Sequence, residues 1–253
     1  MFSLLLRCAA DRDELIADLW EAGTDGVVEE DAGLRAFFSD DAARHGLRDV
    51  LMARFAASTP EWRDEPIGDW EQTTRDAWPP LLIGEKFFLV APWSDEPAPV
   101  GRLRLVIEPG MACGTGRHPC TQLCLEALER HVKPGDAVLD VGTGSGILSA
   151  AAALLGAVRV VACDIDEDSV AIARGRIGES VFVGSADAVR GACADMIVAN
   201  ISSAVVEELA PEFARIRARG STLILSGFEE WDLPEGFDPR ETLMREGWVC
   251  FVC

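Results

Sequence analysis

Lysine is nearly missing from this chain. Lys86 and Lys133 are its two lysines among 253 residues, and acidic residues outnumber lysine plus arginine 43 to 23, a formal charge of −20. Such a surface repels nucleic-acid phosphates at long range, so direct nucleic-acid binding is not expected. It suits either plain solubility or a basic protein partner. A phosphate-binding loop needs Gly-Lys before Ser or Thr. Neither lysine follows a glycine, which excludes that class. Long apolar runs are lacking too. The longest, Ile147 to Val158, is interrupted by Ser149 and Gly156 and falls short of the roughly 18 to 20 residues a membrane span requires. Phe2–Leu6 is apolar but short and has no basic lead-in, so no export signal and a cytoplasmic location are expected. No internal repeat is visible. The eight cysteines are not spaced like a disulfide framework. The one CxxC, Cys250-Phe251-Val252-Cys253, lies in a strand-like tail where positions three apart face opposite sides. Buried small hydrophobes are expected there, and no metal site.

With 49% apolar residues, the chain can bury a sizeable core. Residues 1–67 alternate short strand and helix patterns. Phe2–Cys8 reads as a strand, Asp11–Ala22 as a helix, Val27–Glu30 and Leu34–Phe38 as strands. Leu47, Val50, Leu51 and Phe55 mark a second helix face, and Ala57–Ile67 a last edge strand. The order βαββαβ predicts a small α+β ferredoxin-like domain. Residues 68–108 read as a linker holding Trp70 and Trp78, followed by a β-hairpin of Lys86–Val90 and Arg102–Glu108 across the loop Asp95–Pro99. From 109 to 253, strands alternate with helices. That pattern predicts an α/β domain, a doubly wound, mostly parallel sheet.

The chemistry concentrates in Asp140-Val141-Gly142-Thr143-Gly144-Ser145-Gly146, after an apolar strand and before a helix. Glycines there let backbone approach a ligand, and the helix amides face it. The dinucleotide pattern GxGxxG fails, because Ile147 or Ser149 stands where its last glycine belongs. The elbow GxSxG of hydrolases fails at Thr143. What remains is an acid two residues before a GxGxG turn, with Asp164 and Ile165 ending the next expected strand. S-adenosylmethionine fits this arrangement. Asp140 receives its ammonium, directly or through water, and Asp164 accepts its ribose hydroxyls, as acids do in other doubly wound nucleoside sites. A nicotinamide-type site or a ligand-free domain are the alternatives.

The chain resembles a known family. Asp140–Gly146 with Cys163-Asp164-Ile165-Asp166 looks like class I methyltransferases, with their Rossmann-like sheet. The stretch Glu108-Pro109-Gly110-Met111-Ala112-Cys113-Gly114-Thr115-Gly116-Arg117-His118-Pro119-Cys120-Thr121 narrows the likeness to the PrmA family, which methylates the eleventh protein of the large ribosomal subunit. Asp69-Trp70, Ile83–Lys86, Pro92-Trp93 and Val198–Ile201 extend the similarity along most of the chain. The resemblance implies a protein lysine or N-terminal-amine methyltransferase that uses S-adenosyl-L-methionine. It makes Thr121, Gly142, Asp164 and Asn200 cofactor contacts, residues 1–67 the substrate-recognition domain, and Trp70–Leu82 a flexible linker. Asn200, at a strand end, is also expected to orient the attacking amine, and no strong general base is expected. Gly114, Thr115 and Gly116 form either a lid over the methionine end or an ordinary turn. His118 is either a polar loop contact or a helix-start residue, since Pro119 follows it. Cys113, Thr74 and Pro79 depart from the family's usual Phe, Trp and His, which touches the substrate side rather than the cofactor turn. Methylation of another protein or a small molecule is the enzyme alternative, and a non-catalytic nucleoside-binding protein the alternative from another class. The N-terminal module argues against a small substrate, and the intact acids and glycines argue against a degenerate site.

Overall fold

Strand β1 (Phe2–Leu6) buries Leu4 and Leu6 completely, and the rest of its unit is built to cover them. The computed structural model describes residues 2–7, 12–30, 33–38, 47–56, 60–64, 78–108 and 115–253. After β1 come α1 (Arg12–Glu21), β2 (Gly26–Glu30), β3 (Gly33–Phe38), α2 (Leu47–Arg54) and β4 (Glu61–Asp64). The strands pair antiparallel in the order β2-β3-β1-β4. Leu15 and Leu19 of α1, with Leu51 of α2 and Phe55 just after it, pack against Leu34, Ala36 and Phe38 of the sheet. This is the expected ferredoxin-like sandwich.

A second compact unit begins at Trp78. Residues 78–108, expected as linker and hairpin, therefore belong to that unit, and Ile83, Phe87, Leu89, Leu105 and Ile107 enter its core. Strands β5 (Leu81–Ile83), β6 (Phe87–Val90) and β7 (Leu103–Val106) form a three-stranded sheet. The hairpin joins β5 to β6, whereas β6 and β7 run parallel. The expected hairpin across Asp95–Pro99 is thus a crossover. Residues 91–102 are long enough to carry the chain back along the strand, which a parallel pair requires. The tight turn sits instead at Gly84–Lys86. The Glu129 carboxylate accepts the amides of Glu85 at 2.9 Å and Lys86 at 2.9 Å, and the Arg102 guanidinium donates to the Gly84 carbonyl at 2.7 Å.

The main sheet follows: α3 (Pro119–His131), β8 (Ala137–Val141), α4 (Ile147–Leu154), β9 (Arg159–Asp164), α5 (Glu167–Ile177), β10 (Val181–Val183), β11 (Ala194–Asn200), α6 (Ser203–Ile216), β12 (Arg217–Glu229), β13 (Glu241–Arg245) and β14 (Trp248–Val252). Seven strands run in the order β10-β9-β8-β11-β12-β14-β13. β10 through β12 are parallel, and β14 pairs antiparallel with both neighbours. Side chains alternate across the sheet with period two. Val138, Val198, Ile224, Cys250 and Val252 face α3 and α4, while Leu139, Ile197, Leu225, Val249 and Phe251 face α6. Cys250 and Cys253 fall on opposite faces, as their spacing predicts. Strand β13, unread in the sequence, is joined to β14 by a two-residue turn, Glu246-Gly247, with positive φ at both positions. That geometry matches the twist of an antiparallel pair. β8 leads to β9 and β10 on one side, while β11 lies on its other side. A crevice therefore opens between the carboxyl ends of β8 and β11, the usual ligand position in such sheets.

Candidate functional site

Asp140 is the fourth residue of an all-buried strand and is itself 0% exposed. A lone carboxylate there is costly, and the loop supplies its donors. Its Oδ2 accepts from the Thr143 hydroxyl at 2.7 Å, the Ser149 hydroxyl at 2.7 Å and the Ser149 amide at 3.1 Å. Its Oδ1 is buried and, among the described residues, has no partner. Burial pushes the Asp140 carboxyl above the usual range, against the pull of the Ser149 and Thr143 hydrogen bonds. Thr143, expected as a cofactor contact, therefore turns its side chain inward to the acid. Ser149 was missed in the sequence. Its signal is a polar residue in the first turn of the otherwise Ala- and Leu-rich helix α4.

The turn itself needs glycine for two reasons. Gly142 and Gly146 have φ of 71° and 78°, a left-handed conformation that side chains disfavour. They also sit against neighbours: a Cβ on Gly142 would lie 2.4 Å from Ile201 Cγ2, and one on Gly146 3.3 Å from Ala173 Cα. Gly146 caps α4 without a side-chain hydrogen bond.

Asp164 ends β9, the next strand over. Its Oδ2 accepts the Gly144 amide at 2.9 Å and its Oδ1 the Asp166 amide at 3.1 Å. Each oxygen keeps a second lone pair, and the side chain is half-buried, so two neighbouring hydroxyls can still be accepted. Ile165 beside it is 80% exposed, an apolar side chain with nothing over it. The third acid of the run, Asp166, caps α5 by accepting the amides of Asp168 and Ser169.

Asn200 ends β11 across the crevice. Its amide nitrogen donates to the buried Thr121 hydroxyl at 3.2 Å, and its Oδ1 is buried without a partner among the described residues. Cys120, also unforeseen, joins this group. Burial raises its thiol pKa, opposed by hydrogen bonds to Asn200 and Thr121. His118 caps α3: its Nδ1 lies 2.8 Å from Cys120 Sγ and accepts the Cys120 amide. Its ring meets Trp248 edge-on at 4.4 Å. His118 thus stands at the helix start, one of its two expected readings. Gly116 is buried, and a Cβ there would lie 2.6 Å from Leu89 and 2.8 Å from Ile147, so this glycine serves close packing. Thr115 beside it is half-buried. Arg117 lies over the Trp78 ring at 4.8 Å and donates to the Pro79 carbonyl, which ties this loop end to the start of the unit. Gly114, Cys113, Trp70 and Thr74 lie outside the described residues.

The structure thus brings Asp140, Gly142, Gly144, Gly146, Asp164, Ile165, Asn200 and Thr121 to one end of the sheet. Two orphaned oxygens and an uncovered apolar side chain fit a ligand with a cationic tail, a diol and a flat ring.

Comparison with known proteins places the chain in a family and matches its fold to a solved structure. The PrmA family model, described as ribosomal protein L11 methyltransferase, matches residues 9–253. A protein of Deinococcus radiodurans named ribosomal protein L11 methyltransferase is 38% identical over 262 residues, covering 98% of this chain and 91% of that one. A protein of the same name from Pelotomaculum thermopropionicum is 34% identical over 268 residues, covering 90% and 87%. A crystal structure of ribosomal protein L11 methylase from Lactobacillus delbrueckii subsp. bulgaricus superposes with a TM-score of 0.62 at 28% identity, over 68% of this chain and 96% of that one.

Proposed function

The chain belongs to the ribosomal protein L11 methyltransferase family, PrmA, and from that premise we propose that it moves methyl groups from S-adenosylmethionine to lysine or N-terminal amines of a large-subunit ribosomal protein. The observation that carries the cofactor assignment is the pair of strand-end acids. Asp140 presents an unpartnered buried oxygen, and Asp164 holds the Gly144 amide with lone pairs to spare. Residues 1–67 serve substrate recognition, and the negative surface favours a basic partner met in the cytoplasm.

Each residue has a separable task. Asp140 Oδ1 takes the methionine ammonium, Asp164 the ribose hydroxyls, and Ile165 covers the adenine. The glycine turn admits the amino-acid tail, and the α4 amides face its carboxylate. When bound, the cofactor supplies an electrophilic sulfonium methyl. Asn200 Oδ1 accepts a hydrogen bond from the acceptor amine and aims its lone pair at that methyl. Thr121 fixes Asn200 by taking its amide hydrogen, which leaves Oδ1 for the amine. Because charge passes from sulfur to nitrogen, catalysis is chiefly positioning, with reacting atoms held about 3 to 3.5 Å apart.

Two measurements test the reading. Calorimetric titration should show cofactor binding that Asp164→Ala weakens by about a hundredfold, two hydrogen bonds to a charged acceptor being lost. Unchanged affinity removes the ribose assignment. Ribosomes incubated with labelled cofactor should carry the label on the eleventh large-subunit protein, and label confined to another protein or a small molecule would retire the substrate.

A further inference from the structure

We propose that the turn Glu229–Asp232 is a docking ledge for the basic segment that presents the acceptor amine, with Trp231 as the face that holds its cationic side chain. This rests on the reading of the crevice as an amine-methylating site and adds to it a specificity-determining residue.

Strand β12 leaves the sheet beside Asn200. Ser226 is the register partner of Asn200, and its carbonyl accepts the Ile201 amide at 2.8 Å. The chain then turns, with the Asp232 amide donating to the Glu229 carbonyl at 3.0 Å. The turn is fastened on two sides. The Asp232 carboxylate accepts the Ser203 hydroxyl at 2.7 Å, three residues after Asn200. The Glu230 amide donates to the Gly247 carbonyl at 2.9 Å, and Glu229 lies opposite Trp248, whose ring meets His118. A fixed backbone therefore presents an indole that is 77% exposed, its N–H donated to Glu229. No contact within the fold buries this indole, and Leu233, two residues on, is 44% exposed as well.

Its surroundings say what it contacts. Glu229, Glu230 and Asp232 are the chain neighbours of Trp231, and among the described residues no ion pair neutralises them. The arginine on the neighbouring strand, Arg245 opposite Trp248, is turned elsewhere, to Gln122 and Glu126. An exposed indole in an acidic run repels anions and selects an ammonium on an apolar stem, a lysine. The ring attracts the cation without accepting a proton, and it retains its grip as methyl groups replace N–H bonds, which a carboxylate partner does not. Asn200 Oδ1, buried and without a partner among the described residues, is the next acceptor for the amine, at the strand end that the Ser203–Asp232 bond ties to this turn.

The test uses the full chain as wild type, Trp231→Ala and Trp231→Phe, with purified ribosomal protein L11 and labelled cofactor. Trp231→Ala should raise KM for the protein about five- to thirtyfold, the loss of one cation–aromatic contact. kcat should stay within a factor of about two, and cofactor affinity should be unchanged. Trp231→Phe should recover most of the loss, and Glu229→Gln with Glu230→Gln should flatten the rise of KM with salt. A wild-type KM in Trp231→Ala at both low and physiological salt overturns the ledge and leaves the family reading intact. If the wild-type chain methylates nothing, calorimetric binding of the same protein decides. Weaker binding by Trp231→Ala keeps the ledge and discards the reaction; equal binding discards both.

Discussion

Replacing Asp140 separates what the acid does for the fold from what it does for the cofactor. Alanine there strands three donors: the Thr143 hydroxyl, the Ser149 hydroxyl and the Ser149 amide. The two hydroxyls already lie 3.5 Å apart and can partly satisfy each other, which leaves about two orphans. At about 1 to 3 kcal/mol each, the loss is about 2 to 6 kcal/mol, a large part of a typical domain's stability. Asparagine keeps the shape and one acceptor oxygen. It weakens three charge-assisted bonds by about 1 kcal/mol each, but it also removes the cost of burying the charge, which is of similar size. Its net effect should stay within about 1 to 2 kcal/mol. Cofactor affinity behaves differently: the charge proposed to meet the ammonium is gone in both variants, so Kd should rise about tenfold to a hundredfold even in Asp140→Asn. The pH profile supplies a sign. Burial holds the Asp140 carboxyl above its ordinary value of 3.8, so the folded chain binds that proton more tightly than the unfolded one. Stability is therefore lost as pH rises from the ordinary value through the raised one, a slope that Asp140→Asn abolishes. Urea unfolding across acidic to neutral pH, with cofactor titration at pH 7, measures all three. Asp140→Asn binding cofactor like wild type refutes the ammonium assignment, and Asp140→Asn unfolding as readily as Asp140→Ala refutes the hydrogen-bond account.

Three further outcomes are expected. Glu129→Ala removes the acceptor of the Glu85 and Lys86 amides and should lower the urea unfolding free energy by about 2 to 4 kcal/mol, with Glu129→Gln milder; no change would mean that water replaces the carboxylate. Gly146→Ala forces a side chain into the left-handed region against Ala173 and should cost about 1 to 2 kcal/mol or more, read as a lower melting temperature together with weaker cofactor binding. His131, and with it Arg130, holds the Glu241 carboxyl below its ordinary value of 4.5. The stabilisation is present above that value and lost as pH falls through the lowered one. Glu241→Gln should therefore melt slightly lower at neutral pH, by less than about 1 kcal/mol for so exposed a pair, and converge with wild type in acid.

What the sequence makes legible is what is written locally. Ala137–Val141 followed by spaced glycines specifies a buried strand and a left-handed turn, and the structure contains both. The alternation of Val138 and Leu139, or the spacing of Cys250 and Cys253, fixes opposite faces because a strand has period two. Partners distant in sequence are not written that way. Apolar Phe87–Val90 and Leu103–Val106 look alike whether they pair antiparallel across a hairpin or parallel across a crossover, so the pairing direction was misread. Strand β13 begins with a glutamate and ends with an arginine. It lies at the sheet edge with Met244 half in solvent, and it shows no apolar alternation to detect. Nor does spacing reveal where a loop hydroxyl points: Thr143 was placed on the ligand side and is used by Asp140.

The acids of the site show why residue type alone could not assign roles. Asp140, Asp164 and Asp166 are one chemical group at the ends of two neighbouring strands, yet their surroundings make them three different groups. At Asp140, burial raises the pKa, three internal donors fill one oxygen, and the other oxygen has no partner among the described residues, the oxygen proposed to meet a cation. At Asp164, two backbone amides orient a carboxylate that still faces outward, which suits neutral hydroxyls. At Asp166, the Ser169 hydroxyl and amide lower the pKa and turn the whole group to capping α5. Exchanging the identities of these positions would change nothing in the composition and everything in the chemistry. A triple comparison of Asp→Asn variants should therefore split cleanly: Asp140 and Asp164 variants lose cofactor affinity, while the Asp166 variant retains it and loses only a helix cap. Equal loss of affinity in all three would mean that the acids act together as a diffuse negative field, and that the separate geometry described for each is irrelevant.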